Sequence, residues 1–446
     1  MISISRLPDD IEIHDCTSQQ VYRKEELTLL AGGYQRFFEE QGLVKGNRIS
    51  LCLQEDIHHL AVVFAAIDFG LVPVISGNHY IDDDYCATSD IKIVLTHGIQ
   101  PVTVETNNIP HIELSGVMPG STNYIVNHND IILESFTSGT TGHSKTVTHT
   151  HESITSASND SIKHYWQDAK VSWFYHNIVH LGVSTVYFFP ALFSSKKVVL
   201  PHLWDTYDPE TFAKHKPDVM LLFPSNYEQY ENISKLDLSH VDYVLTGGAT
   251  IPKTFCEKLI KQGVKSVAVI YGLTECLPPI MHKFVTAENI NNYSEQDMGV
   301  NCDDSAEYKI DEHGELVIVK SNHLANQING SDVITLNTGD RVHTVSDNYY
   351  FEKRNKDFIR INGELVNPQQ LVDESNATKI VLFGTSQTHV IICVNDKSVD
   401  TDSLIQKLTS QGITYDKLVM PIELNVLGKP NIGKLRRKYV SNQSSS

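Results

Sequence analysis

The alternation of helical and extended hydrophobic patterns constrains this chain most. Between Glu25 and Glu40, Leu27, Leu29, Leu30, Tyr34, Phe37 and Phe38 recur with the period of an amphipathic helix, ended near Gly42. Arg48 to Leu53 reads as a buried strand. His58 to Phe69 reads as a helix stopped by Gly70, and Leu71 to Ile75 and Ile91 to Thr96 as short strands. Ser172 to Tyr175, Lys197 to Leu200, Val219 to Phe223, Val241 to Thr246 and Ser266 to Tyr271 continue the series, with helical segments between. Apolar strands separated by helices predict an α/β fold of mostly parallel sheets flanked by helices.

The texture changes at Ser305. Glu307 to Ile310, Gly314 to Val319, Val333 to Leu336 and Asn348 to Phe351 are short strands joined by turns. They predict a small antiparallel, β-barrel-like subdomain. After Lys353 a further α/β unit follows: Asp357 to Ile361, Gln369 to Val372, Lys379 to Phe383, Val390 to Val394, then a helix near Asp402 to Gln411.

Composition narrows the function classes. A length of 446 residues suggests two to four folding units. The net charge of −18 argues against a broad nucleic-acid surface, because phosphate would meet a repulsive mean field. A small anionic ligand must have its charge met locally. The most apolar stretch, Leu60 to Ile75, is interrupted by Asp68, Gly70 and Pro73 and is too short for a membrane span. Met1 to Asp10 has no apolar core of a signal peptide. The seven scattered Cys, without a C-x-x-C pair, fit a reducing cytoplasm. A cytoplasmic location is the expectation.

The chemistry concentrates after the strand-like Ile131 to Phe136. Thr137-Ser-Gly-Thr-Thr-Gly-His-Ser-Lys145 packs five hydroxyls, two glycines and a lysine into nine residues. Glycines let backbone N–H groups approach an anion, hydroxyls donate to phosphate oxygens, and Lys adds positive charge. The same composition also suits a plain polar surface turn. The spacing is not that of a Walker loop.

The T-S-G-T-T-G-x-x-K run resembles the phosphate loop of the acyl-adenylate-forming superfamily, which includes acyl- and aryl-CoA ligases, luciferases and nonribosomal-peptide adenylation domains. Further family motifs follow in order. Thr246-Gly-Gly-Ala249 resembles the loop lining the adenine and acyl pocket, Tyr271-Gly-Leu-Thr-Glu275 the Y-G-x-T-E motif, and Thr338-Gly-Asp340 the T-G-D motif. Lys353 to Gly363, with Val366-Asn-Pro368, resembles the hinge and the start of a mobile C-terminal lid, and Pro430 to Arg436 the terminal G-K motif. The resemblance implies a large AMP-binding domain over residues 1–354 and a small α+β lid over residues 355–446.

It also implies roles. Thr137, Ser138, Gly139, Thr140, Thr141, Gly142 and Lys145 would cradle the β- and γ-phosphates of ATP. Gly247, Gly248 and Ala249 would line the nucleotide and acid pocket. Tyr271, with Gly272, would stack on adenine, and Thr274 would donate to the α-phosphate. Glu275 would hold Mg²⁺. Asp340 would accept the ribose hydroxyls, with Arg354 assisting. Lys434 would stabilise charge moving between carboxylate and α-phosphate. Lys356 would be the hinge.

Amino-acid-activating members usually carry an Asp in the segment after the phosphate loop. Here Trp173 to Gly182 contains neither Asp nor Glu, which disfavours an α-amino acid and suits an acyl or aryl acid. His176 and Asn177, or His180, are the candidate contacts, alongside Gly248. The thiol acceptor is coenzyme A or the phosphopantetheine of a carrier protein. A catalytically silent binding relative is the rival from another class. The chain departs from the family pattern at Ser144, where Pro is usual, at Lys353, where Gly is usual, and in a shortened stretch from Leu316 to Asp340.

Overall fold

The computed structural model describes the chain except residues 55, 76–79, 99–102, 115, 123–126, 138–144, 175–180, 203–206, 355–358, 362–363, 367–379, 385–388, 396–397, 411–413, 421, 423–434, 436–438 and 440–446. The described residues form a large mixed α/β domain and a smaller C-terminal α+β region.

Two sheets organise the large domain. In a 13-stranded sheet, Glu12–Asp15, Lys197–Leu200, Val171–Trp173, Val219–Leu221, Tyr243–Gly247 and Ser266–Tyr271 lie side by side, all parallel. Beyond Ser266–Tyr271 the direction alternates through Met281–Val285, Asp297–Asn301, Asn348–Arg354, Leu336–Val345, Glu315–Lys320 and Glu307–Ile310. The antiparallel strands after Ser305 thus continue the large sheet, joined to it through Asp297–Asn301. An eight-stranded sheet has Ile91–His97, Arg48–Leu53, Val72–Ile75 and Ile131–Thr137 parallel at its centre. Lys145–Thr150 then pairs antiparallel with Ile131–Thr137.

The largest core lies between these sheets. It takes Ile49, Leu95 and Leu133 from one and Val198, Leu245 and Ala268 from the other. Helix Ile57–Phe69 fills part of the gap, with every residue but His58 buried. A helix apolar all round has to be enclosed. Asp56 caps it by accepting from the N–H groups of His58 and His59, and Gly70 ends it in the left-handed region. The C-terminal region pairs Ile380–Gly384 with His389–Val394 and Thr414–Val419, under helix Asp402–Ser410. No helix among the described residues is long and apolar enough to cross a membrane.

Several expected boundaries move. The strand expected over Val333–Leu336 starts at Leu336 and runs to Val345, so Thr338-Gly-Asp340 sits inside a strand and not in a turn. The expected strand Gln369–Val372 lies outside the described residues. The hairpin Glu12–Asp15/Gln20–Arg23 carries no hydrophobic alternation strong enough to be read from the sequence.

Candidate active site

Parallel strands deliver their carboxyl ends to one edge of a sheet, the usual place for a ligand. Tyr243–Gly247 and Ser266–Tyr271 are neighbours, with Gly247 opposite Ile270. The Gly247-Gly248-Ala249 and Tyr271-Gly272 turns therefore leave the sheet at the same edge. Gly272 is required there by close approach: a Cβ would stand 2.5 Å from Pro278 Cβ and 2.7 Å from its N and Cα.

Tyr271 meets Asp340 across this edge. Its hydroxyl donates to Asp340 Oδ2 at 2.6 Å. Arg354 donates to the same carboxylate twice, Nε to Oδ1 at 2.5 Å and Nη2 to Oδ2 at 2.9 Å. Asp340 is 1% exposed and stands opposite Arg354 in the pairing of Leu336–Val345 with Asn348–Arg354. A bulge aims it: Asn337 to Arg341 spans only Val317 to Glu315 on the neighbouring strand. Gly339 at its centre has φ +78°, and its N–H donates to Glu315 Oε1 at 2.8 Å. Burial, then the Asp340 charge, push the Tyr271 phenol well above its ordinary value, so it stays a donor.

The other half of the site comes from the second sheet. Ile131–Thr137 and Lys145–Thr150 form a hairpin with Thr137 opposite Lys145 at its mouth. Within it Glu134, 2% exposed, pairs with Arg48 Nε at 2.7 Å. The hairpin is stitched to the loop after Tyr271. His149 Nε2 donates to the Thr274 carbonyl at 2.8 Å, and Asn326 N donates to the Thr148 carbonyl at 2.8 Å. Ala325, one residue earlier, donates to the Glu275 carbonyl at 3.0 Å.

Among the described residues the Glu275 carboxylate and the Lys145 ammonium have no hydrogen-bond or ion-pair partner. A free carboxylate suits a hard cation and a free ammonium suits phosphate, so the donor set fits MgATP. Asp340 fits a ribose in part. A carboxylate offers about four acceptor sites, and Arg354 and Tyr271 use three of them.

The structure thus brings together Tyr271, Asp340 and Arg354, and places Thr274 and Glu275 on a loop tied to the Lys145 strand. Thr137 is described as backbone only. Ser138, Gly139, Thr140, Thr141, Gly142, His176, Asn177, His180, Lys356 and Lys434 lie outside the described residues. Reading the sequence did not single out His149, His323, Asp160 or Asp303, which pack around the same loop. Their positions carry no motif, because their partners are far away in sequence.

The family model of the AMP-binding enzymes matches residues 5–324, and the chain belongs to that family. Its activity is ATP-dependent conversion of a carboxylic acid to an acyl-adenylate, of the acid–thiol ligase type, and use of ATP and Mg²⁺ is typical of the family. The chain is 24% identical over 408 residues to a long-chain-fatty-acid–CoA ligase, FadD13, of Mycobacterium tuberculosis, covering 80% of this chain and 77% of that one. Its fold is similar to that of o-succinylbenzoate CoA synthetase (MenE) from Bacillus subtilis in complex with its acyl-adenylate, with TM-score 0.72, 16% identity and 96% of each chain covered. It is also similar to McyG A-PCP complexed with phenylalanyl-adenylate, with TM-score 0.68, 17% identity, 98% of this chain and 81% of that one.

Proposed function

We propose that this protein activates an apolar or aryl carboxylic acid, not an α-amino acid, and passes the acyl group to coenzyme A. The Tyr271–Asp340–Arg354 cluster, with Asp340 buried, and the Glu275 and Lys145 side chains, unpartnered among the described residues, support the adenylating half. The choice of acid rests on the segment after Val171–Trp173. The sequence from Trp173 to Gly182 has no carboxylate to pair with an ammonium, and Phe174 and Leu181 within it and Val183 just after it are buried and apolar. The long-chain-fatty-acid–CoA ligase relative supports coenzyme A as acceptor.

In this reading the carboxylate attacks the α-phosphorus of ATP and pyrophosphate leaves. A thiolate then attacks the acyl carbonyl and AMP leaves. Glu275 would hold Mg²⁺, which when bound would neutralise phosphate charge. Lys145, with the hydroxyls of 137–141, holds the phosphates. Thr274 donates at the α-phosphate, Asp340 and Arg354 hold the ribose, and Tyr271, beside Gly272, lies against adenine. Gly247, Gly248 and Ala249 line the pocket, with His176, Asn177 and His180 toward the acid. Lys434 stabilises the charge that develops during adenylation, and residues 355–446 act as a lid turning at Lys356.

The test is pyrophosphate release across short, long and aryl acids and the 20 common amino acids, followed by AMP release with coenzyme A or with a phosphopantetheinyl carrier protein. Pyrophosphate release with an apolar acid, and thioester formation with coenzyme A, are expected. Release driven by an amino acid overturns the choice of acid. Thioester on the carrier alone overturns the choice of acceptor.

A further inference from the structure

The loop after Tyr271 has each carbonyl from Thr274 to Pro278 held. Thr274 O accepts from His149 Nε2 at 2.8 Å, and Glu275 O from Ala325 N at 3.0 Å. Cys276 O accepts from Leu273 N at 2.9 Å. Leu277 O accepts from His323 Nδ1 at 3.1 Å, and Pro278 O from Thr185 Oγ1 at 2.8 Å. Two of these five donors are fully buried imidazoles, one in strand Lys145–Thr150 and one just after strand Glu315–Lys320.

His149 belongs to the strand that begins at Lys145. Its Nε2 donates to a carbonyl, and its Nδ1 lies 3.2 Å from Ser153 Oγ. His323 is held by acids. Its Nε2 lies 3.0 Å from Asp160 Oδ2, and its Nδ1 lies 3.6 Å from Asp303 Oδ2 as well as near Leu277 O. Asp303 is itself buried and accepts from the Ser305 N–H and the Ser305 and Ser321 hydroxyls. A carbonyl only accepts, so His323 Nδ1 donates to Leu277 O. The two carboxylates lie beside different nitrogens of one ring and fix its orientation. The backbone of His323 joins in, its carbonyl accepting from Leu277 N at 3.0 Å.

We propose that His149 and His323 are positioning residues, a two-point clamp on the carbonyls of the loop that presents Thr274 and Glu275, with Asp160 and Asp303 orienting His323. This rests on the reading of Thr274 and Glu275 given above. Neither His touches the reacting atoms. Each removes freedom from the backbone that carries them, and small misplacements of such groups cost on the order of 10²-fold in rate.

The experiment compares wild type with His323→Ala, His323→Asn and Asp160→Ala. Hydrogen–deuterium exchange across 271–279 and Mg²⁺ titration of pyrophosphate release are both followed. His323→Ala should raise exchange in that segment, raise the Mg²⁺ needed for half-maximal rate, and lower kcat more than it raises KM for ATP. His323→Asn, whose amide can still reach the Leu277 carbonyl, should recover part of both effects. Wild-type exchange and kcat in His323→Ala overturn the proposal, as does stoichiometric zinc in the purified protein, which would make Asp160, Asp303 and His323 a metal site. If His323→Ala does not fold, unchanged loop exchange in the milder Asp160→Ala overturns it. A wild type that releases no pyrophosphate refutes the function, while the exchange comparison still judges the clamp.

Discussion

Asp340 already accepts three hydrogen bonds, two from Arg354 and one from Tyr271. Binding both ribose hydroxyls therefore asks one protein donor to let go. Tyr271→Phe keeps the ring and frees one acceptor site on Oδ2, so KM for ATP should not rise in steady-state kinetics. Asp340→Ala strands the Tyr271 hydroxyl and the Arg354 guanidinium. Hydrogen bonds to charged groups are worth about 1.5–3 kcal/mol, so KM for ATP should rise by roughly one to two orders of magnitude. A rise with Tyr271→Phe equal to that of Asp340→Ala would place the phenol, not the carboxylate, on the nucleotide. Another residue far from the site carries a pH signature. Asp68 is fully buried, accepts from Ile4 N at 3.2 Å and has no partner for Oδ1. Burial pushes its pKa up to about 7. The unfolded chain loses this proton above about 4 while the native state keeps it, so stability falls as pH rises from there to about 7. Asp68→Asn should raise the melting temperature more at pH 8 than at pH 5.

Helix Ile57–Phe69 is anchored at its first turn by one carboxylate doing two tasks. Asp56 Oδ1 caps the helix and Oδ2 lies 3.1 Å from His97 Nε2, while His97 Nδ1 donates to the Leu114 carbonyl at 3.2 Å. The Asp56 hydrogen bond raises His97 against the opposing effect of burial. Burial alone would raise Asp56, but His97 and the helix N–H groups outweigh it and its pKa is lowered. The His97 contribution is complete below its unfolded pKa and disappears as pH rises through its raised folded value. The Asp56 contribution is present above its unfolded pKa and disappears as pH falls through its lowered folded value. The pair therefore stabilises most between about pH 4 and 6.5, the two ordinary values. In His97→Gln the drop in melting temperature between pH 5.5 and pH 8.5 should shrink, and an unchanged drop would remove the pair from the pH response. The bulged strand Leu336–Val345 teaches about legibility at this scale. Thr-Gly-Asp has the chemistry of a turn. The structure uses the same glycine to insert residues into a strand, because the neighbour Glu315–Lys320 supplies a ladder that local sequence does not reveal.

At the scale of the whole molecule, the two half-reactions should separate at the lid. Lys434 follows Gly433, and Lys356 follows Arg354 by two residues. Lys434→Ala should lose adenylation by roughly 10²–10³, the scale for removing one charge-stabilising group, yet still form thioester from preformed acyl-AMP. Lys356→Pro fixes φ near −65° and should show the opposite bias. Single-turnover kinetics on both steps decide. Equal losses on both in Lys434→Ala would exclude a lid that alternates between the steps.

The sequence by itself determined the α/β class, the family and the order of its motifs, because these rest on local chemistry. Hydrophobic period sets helix or strand, and the glycines, hydroxyls and lysine of residues 137–145 lie within nine residues. Only the tertiary structure decided which groups share hydrogen bonds. Tyr271 meets Asp340 across 69 residues, His149 meets Thr274 across 125, and His323 meets Asp160 across 163. A hydrogen bond reaches about 3 Å, and no local pattern records which distant atoms two packed sheets bring within that reach.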